Sequence, residues 1–302
     1  MKILVMNDPH IRGTNPCSRL DNYYQSWLLK FDEILSLSKD CDFIICSGDF
    51  FHSPIVSNAI VDDVLDRIDA NGTYIYFLFG NHALVNANLE ASGSTSLAHM
   101  LRRSKYVKYL NELNYNDCYI KGYEYSFGIE AKIKKEGLIS NSDKFSIAVT
   151  HCVITEKPFF ANVSQVLMKD IKSDFDLVIC SHIHTNVDTT INKTRFINFN
   201  CIGRTSIAEQ HIPQVGIIDT KTKSVEFIPL KLAKKVEEIF DLTKYEELKE
   251  NEKSIDEFLE SLENVELQAM DITQQIAFIA KEQNVDKKVI DYLLNKIGEI
   301  NE

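Results

Sequence analysis

Five stretches of the chain are apolar almost throughout and give way at once to polar residues: "KILVM" (2–6), "DFIICS" (42–47), "YIYFLF" (74–79), "FSIAVT" (145–150) and "DLVICS" (176–181). Short β-rich runs of this kind, without strict alternation, predict strands covered on both faces. Between the first three lie stretches with apolar residues at helical spacing, 21–39 and 58–72, the second closed by Gly72. Glycine there suits a helix that ends in the left-handed conformation. Further along, "TRFINFN" (194–200), "QVGIIDT" (214–220) and "SVEFIPL" (224–230) read as antiparallel strands, with the polar "DTKTKS" as the turn between the last two. The pattern predicts a mixed, layered α/β fold whose core ends near Leu230.

Beyond that point the register changes. Residues 244–263 and 271–299 contain no proline, almost no glycine, and apolar residues at helical spacing, such as Ile272, Ile276 and Ile279, then Val289, Leu293 and Ile297. They predict two or three helices on a tether, so the chain is divided into a core domain, 1–235, and an acidic helical tail, 236–302. Charge follows the same division. From Glu237 onward 18 acidic residues face 7 basic ones, which accounts for the whole net charge of −11 and leaves residues 1–236 with 26 of each sign. The acidity therefore belongs to the tail, and the core can still carry basic patches such as "LRRSKYVK" (101–108) and "KIKK" (132–135).

With 302 residues, 44% of them hydrophobic, the chain can bury a full core. No apolar run reaches the roughly eighteen residues of a membrane span, and the N-terminus lacks a signal-peptide pattern, so a soluble cytoplasmic protein is expected. The seven cysteines are odd in number and never spaced C-x-x-C. They read as reduced core residues rather than disulfides or a zinc ribbon.

The residues that follow the apolar runs carry the chemistry. After the first come Asp8 and His10, after the second Asp49 and His52, after the third Asn81 and His82, after the fourth His151, and after the fifth His182 and His184. In an extended chain residues two apart point the same way, so Asp8 and His10 are expected to aim a carboxylate and an imidazole at one spot. One D-x-H at a strand end is better explained by a surface turn. Six of the eight histidines at equivalent strand ends are not, because the carboxyl ends of strands in an α/β sheet are where ligands bind. His99 and His211 fall outside the pattern and read as structural. Imidazoles, carboxylates and an amide oxygen without thiolate suit a pair of divalent ions, Mn²⁺, Fe or Zn²⁺, able to hold a hydroxide between them and clamp a phosphate. Gly48 and Gly80 fit close backbone approach just before Asp49 and Asn81.

As an ordered set, "DPH", "GDFFH", "GNH", "TH" and "SHIH" make residues 1–230 resemble the calcineurin-like metallophosphoesterases. Within them "SGDFFHSP" is similar to the G-D-x-F-H of SbcD-type DNA repair exonucleases. The resemblance implies a layered metallophosphoesterase β-sandwich flanked by helices, with a C-terminal helical appendage. It implies one metal on Asp8, His10, Asp49 and His184, and a second on Asn81, His151, His182 and the shared Asp49. By the same resemblance His82 protonates the leaving 3′-oxygen or stabilises the phosphorane, His52 helps place the scissile phosphate, and the two ions are Mn²⁺. The implied activity is exonucleolytic or endonucleolytic cleavage of DNA in repair, recombination or replication. The implied partners are DNA, an SbcC-type coiled-coil ATPase docked on the C-terminal helices, and a second copy in a homodimer through helices near 58–72 and 92–104. The alternatives are a phosphoesterase for a nucleotide or cyclic nucleotide, and a catalytically weak metal-binding scaffold subunit. Two departures bear on these. The family pattern G-N-H-D reads "GNHAL" here, so Ala83 offers no carboxylate to orient His82: either another acceptor, such as Glu90, substitutes or catalysis is weaker. Only Lys231–Glu302 remain for the larger capping region that SbcD-type proteins carry.

Overall fold

The apolar runs are strands, and the computed structural model shows why they lack alternation. It describes residues 1–16, 19–85, 88, 90–158 and 163–243. In chain order come β1 (Lys2–Met6), α1 (Tyr23–Leu37), β2 (Phe43–Cys46), α2 (Asn58–Asn71), β3 (Ile75–Phe77), α3 (Ser96–Arg103) and β4 (Val107–Tyr109). Next are β5 (Glu112–Asn114), β6 (Cys118–Tyr123), α4 (Ile129–Glu136), β7 (Phe145–His151) and the short β8 (Ile154–Thr155) and β9 (Val166–Leu167). The series ends with β10 (Leu177–Ser181), β11 (Asn186–Ile191), β12 (Thr194–Phe199), β13 (Gln214–Asp219), β14 (Ser224–Pro229) and α5 (Val236–Ile239).

Two six-stranded sheets result, with strand orders β14-β13-β1-β2-β3-β4 and β11-β12-β10-β7-β6-β5. Strands β1 to β4 run parallel in the first, and β6, β7, β10 and β12 run parallel in the second. Along β1 and β2, Ile3, Val5, Phe43 and Ile45 pack into the space between the sheets against Ile147, Val149, Leu177 and Ile179. The residues between them, Leu4, Met6, Ile44 and Cys46, pack instead with Trp27, Phe31 and Ile34 of α1 and Val64 and Ile68 of α2. On the outside of the second sheet Ala148, Val178 and Cys180 meet Ile129 and Ile133 of α4. Both faces of each central strand are thus buried, each large apolar side chain contributing about 1.5–3 kcal/mol, and the fold is the expected mixed α/β sandwich flanked by helices.

The expected helices are present as α1, whose N-terminus is capped by Asn22, and α2, closed by Gly72 at φ 75°. Met1–Asp241 forms one unit of the chain. Ile239 and Phe240 are buried in it, and Leu20 N–H donates to the Ile239 carbonyl at 2.9 Å. The same segment adds a bridge between Phe240 and Arg19. The helices expected over 244–263 and 271–299 lie outside the described residues. Among those described, the cysteines are free thiols and no helix is long and apolar enough to cross a membrane.

Candidate active site

The carboxyl ends of β1, β2, β3, β7 and β10 meet at one place, and the loops there are bent rather than extended. Strand β1 stops at Met6, and Asp8 and His10 both adopt left-handed backbone, with φ 45° and 49°. The extended-chain geometry expected for this pair therefore does not hold. The two side chains are brought together by a doubly bent loop, held from below by α1: Trp27 Nε1 donates to the Pro9 carbonyl at 2.9 Å and the Tyr23 hydroxyl to the His10 carbonyl at 2.8 Å. Asp49 at φ 44° and His182 at φ 79° share this conformation, which costs a non-glycine residue about 1–2 kcal/mol each. Such backbone persists where surrounding contacts over-determine it.

Glycine supplies room at two points. A Cβ on Gly48, whose φ is 128°, would stand 2.0 Å from His151 Nδ1. Gly80 has an ordinary φ of −94°, but its Cβ would stand 2.1 Å from Asp49 Oδ1. Both close approaches were expected from the sequence, and both clear space for a candidate ligand.

The side chains form two groups around Asp49. In one, Asp8, His10 and His184 present ligand atoms within 4.8 Å of one another, with His10 Nε2 and His184 Nε2 3.1 Å apart. In the other, Asp49, His151 and His182 do the same. There Asp49 Oδ2 and Asn81 Oδ1 each lie 3.2 Å from His151 Nε2. Asp49 Oδ2 is also 3.8 Å from His10 Nε2, so this carboxylate stands between the groups. All seven residues expected as ligands are at this centre. His99 is exposed on α3, and His211 bonds the Cys201 carbonyl at 2.8 Å.

A buried polar layer beneath the centre ties the sheets together. Asn7 donates to the Cys180 carbonyl at 2.8 Å, Ser47 Oγ donates to Asn7 Oδ1 at 2.9 Å, and Ser181 Oγ donates to the Ser47 carbonyl at 2.7 Å. The same Ser47 carbonyl accepts from His151 Nδ1 at 3.1 Å. That bond fixes the tautomer and leaves the Nε2 lone pair facing Asp49 and Asn81.

Sequence reasoning missed a counterpart on the other side. Glu209, in the loop between β12 and β13, accepts a short hydrogen bond from His184 Nδ1 and turns His184 Nε2 toward His10. Burial acts to raise the Glu209 carboxyl, but the bond from His184 holds it at about 2, ionised at neutral pH. No hydrophobic period marks a carboxylate in an irregular loop, and only its place in three dimensions reveals it.

His82 and His52 lie side by side at the edge of the centre, their ring centroids 4.9 Å apart and each within 5.4 Å of the His10 ring. His82 Nδ1 donates to the His52 carbonyl at 2.6 Å, and its Nε2 is 4.0 Å from Asp49 Oδ2. A main-chain oxygen thus takes the orienting place expected of a side chain. Ala83 is buried, and the side chain of Glu90, the substitute expected from the sequence, lies outside the described residues.

The donor set fits divalent cations. Burial raises the Asp8 carboxyl to about 6 against the pull of His151 and His184. Asp49, though burial acts to raise it, is held far below the carboxylate range by His151, His10 and His82. Burial lowers His10, and lowers His182 to about 4, so both keep free lone pairs at neutral pH, as ligation requires. His10 Nδ1 is buried without a hydrogen-bond partner. A third grouping, His10, His52 and His82, contains no carboxylate. The groups built on Asp8 and Asp49 suit a cation better, because their buried negative charge calls for one.

The sequence matches a known family. The model of the calcineurin-like phosphoesterases matches residues 1–186. The chain belongs to that family. No curated protein matches the sequence. Among solved structures, this phosphoesterase is similar to an archaeal phosphodiesterase at 17% identity, covering 76% of this chain and 100% of the other, with a TM-score of 0.41. It is similar also to the Escherichia coli phosphoesterase Yfce at 12% identity, covering 76% of this chain and 100% of the other, with a TM-score of 0.39.

Proposed function

We propose that this phosphoesterase is a two-metal, Mn²⁺-dependent DNA nuclease, acting as the nuclease subunit of an SbcCD-like complex in DNA repair, recombination or replication. The observation that carries the reading is the pairing of His52 with His82 at the rim of the two carboxylate-bearing groups. Hydrolysis of a phosphomonoester needs one group to assist the leaving oxygen. A diester that must also be held in register along a strand has use for a second.

In this reading Asp8, His10, Asp49 and His184 hold one cation, and Asp49, Asn81, His151 and His182 the other. Bound divalent ions supply an activated water and neutralise charge on a phosphoryl oxygen. The chain's own residues do the rest. His82, its Nδ1 tied to the His52 carbonyl, presents Nε2 as the proton donor to the departing 3′-oxygen. Burial and the nearby Arg12 and His82 lower His52 to about 4, so it meets the phosphate as a neutral imidazole. The buried polar layer keeps the two ligand groups at fixed separation, so the geometry is set before substrate arrives. The acidic helices after Asp241 would dock on the ATPase rather than on DNA, since their carboxylates repel phosphate.

The test is cleavage of linear duplex DNA by the full chain, with and without Mn²⁺ and with and without a coiled-coil ATPase of the SbcC type. The expected result is Mn²⁺-dependent degradation that the ATPase stimulates, and loss of co-purification when the chain is truncated after Leu242. Hydrolysis of nucleotides or cyclic nucleotides with linear DNA left intact would instead establish the small-substrate reading. Binding of metal and DNA without turnover of any diester would establish the scaffold.

A further inference from the structure

A half-enclosed pocket of about 390 Å³ opens next to the metal centre, between the end of β6, the turn that follows and α4. Tyr125 joins the two: it lines the pocket, and its ring centroid lies 5.9 Å from that of His182. The size is within the range of pockets that enclose a small ligand. Tyr109, Tyr123 and Tyr125 line it, with Lys121 and Lys132, and the Lys121 ammonium lies over the Tyr123 ring, 5.2 Å from its centroid. Glu124 adds a carboxylate whose Oε2 accepts from the Tyr109 hydroxyl at 2.7 Å, leaving Oε1 to accept from a ligand. Glu136, also on the wall, offsets Lys132. Charge in the pocket is therefore balanced, and an anion alone has no reason to prefer it. What the walls suit is a flat, neutral ring carrying N–H donors, attached to something anionic.

We infer that this pocket receives the nucleobase beside the scissile phosphate, with the Tyr109 and Tyr125 rings as stacking surfaces and Glu124 accepting from an exocyclic amino group. This rests on the phosphodiesterase reading of the adjoining centre, and it narrows the substrate to one that carries a base. A sugar phosphate or an alkyl diester would leave the aromatic walls and Glu124 unused.

Equilibrium binding of dGMP, dTMP and 2-deoxyribose 5-phosphate to the full chain in Mn²⁺ tests it by calorimetry, while hydrolysis of bis(p-nitrophenyl) phosphate is followed on the same wild-type preparation. We expect dGMP to bind roughly tenfold or more tightly than deoxyribose phosphate, and Tyr109→Ala to remove about that factor, as expected for loss of one stacking surface. The isosteric Glu124→Gln should weaken dGMP binding and spare dTMP, which has no exocyclic amino group. Equal binding of dGMP and deoxyribose phosphate overturns the assignment even if the chromogenic diester is cleaved, as does wild-type dGMP affinity in both variants. Base-selective binding without Mn²⁺-dependent cleavage of that diester supports the pocket and overturns the phosphodiesterase reading instead.

Discussion

The two sheets reach the same centre by different means. The second sheet delivers His151 as the last residue of a fully buried strand, in ordinary β backbone, with its Nδ1 already committed to the Ser47 carbonyl. The first delivers Asp8, His10 and Asp49 from loops bent into left-handed backbone, and Gly80 clears the space that Asp49 needs. His182, just past the end of β10 in the second sheet, shares that left-handed backbone. His151 is thus held by regular secondary structure, and the left-handed residues Asp8, His10, Asp49 and His182 by packing around strained loops. Small steric changes beside the strained loops should therefore break the centre, whereas truncating His151 should remove a ligand atom without disturbing the strand that carries it.

Gly80→Ala should show the largest effect. Its backbone is unstrained, yet its Cβ would meet the Asp49 carboxylate that stands between both groups. Metal analysis should find both ions lost, and activity with them. A variant that keeps its metal would show that Asp49 has room to move.

Replacing His82 by Ala separates chemistry from ligation. Bound metal should stay as in the wild type while turnover falls by about 10² to 10⁴, the usual contribution of a general acid. If metal is lost along with activity, His82 is a ligand and the grouping of His10, His52 and His82 is the occupied one.

Smaller again is Glu209→Gln. The amide still accepts from His184 Nδ1 but without charge, so Mn²⁺ affinity should weaken about 10- to 100-fold, read by calorimetric titration. Unchanged affinity would mean that Glu209 serves only its hydrogen bonds to the backbone N–H groups of Thr205 and Ser206.

The smallest effect is in pH dependence. Burial lowers His211 to about 4, below its unfolded value of about 6.5. The folded state thus resists a proton that the unfolded chain accepts. Its contribution to stability is complete above pH ~6.5 and is lost as pH falls toward 4. Asp8, raised to about 6, acts in the opposite sense, so wild type and His211→Gln must be compared in metal-free buffer. The difference between their denaturant midpoints should shrink as pH drops from 7 to 4.5, and a constant difference would refute it.

Much of this could be read from the sequence because buried parallel strands announce themselves. The runs at Lys2–Met6 and Leu177–Ser181 are apolar on both faces, and the residues after them fall where parallel strands end. Shorter and more exposed strands give no such signal. Val107–Tyr109 and Glu112–Asn114 are three residues each, both at a sheet edge, and Asn186–Ile191 turns every other residue to solvent. At the centre it was legible which side chains gather, and their geometry was not. Asp8 and His10 converge through two left-handed residues held by Trp27 and Tyr23, contacts made across the fold. The acceptor for His82 is a backbone oxygen 30 residues away in sequence, which no side-chain pattern can reveal.

The central claim is that both sheets complete one centre for two divalent ions. Equilibrium dialysis of the full chain against Mn²⁺, with metal counted per chain in the wild type, His151→Ala and His184→Ala, tests it most directly. The account predicts two ions in the wild type and one in each variant, with the remaining ion on the opposite side of Asp49. A single ion in the wild type, or two still bound in both variants, would contradict it.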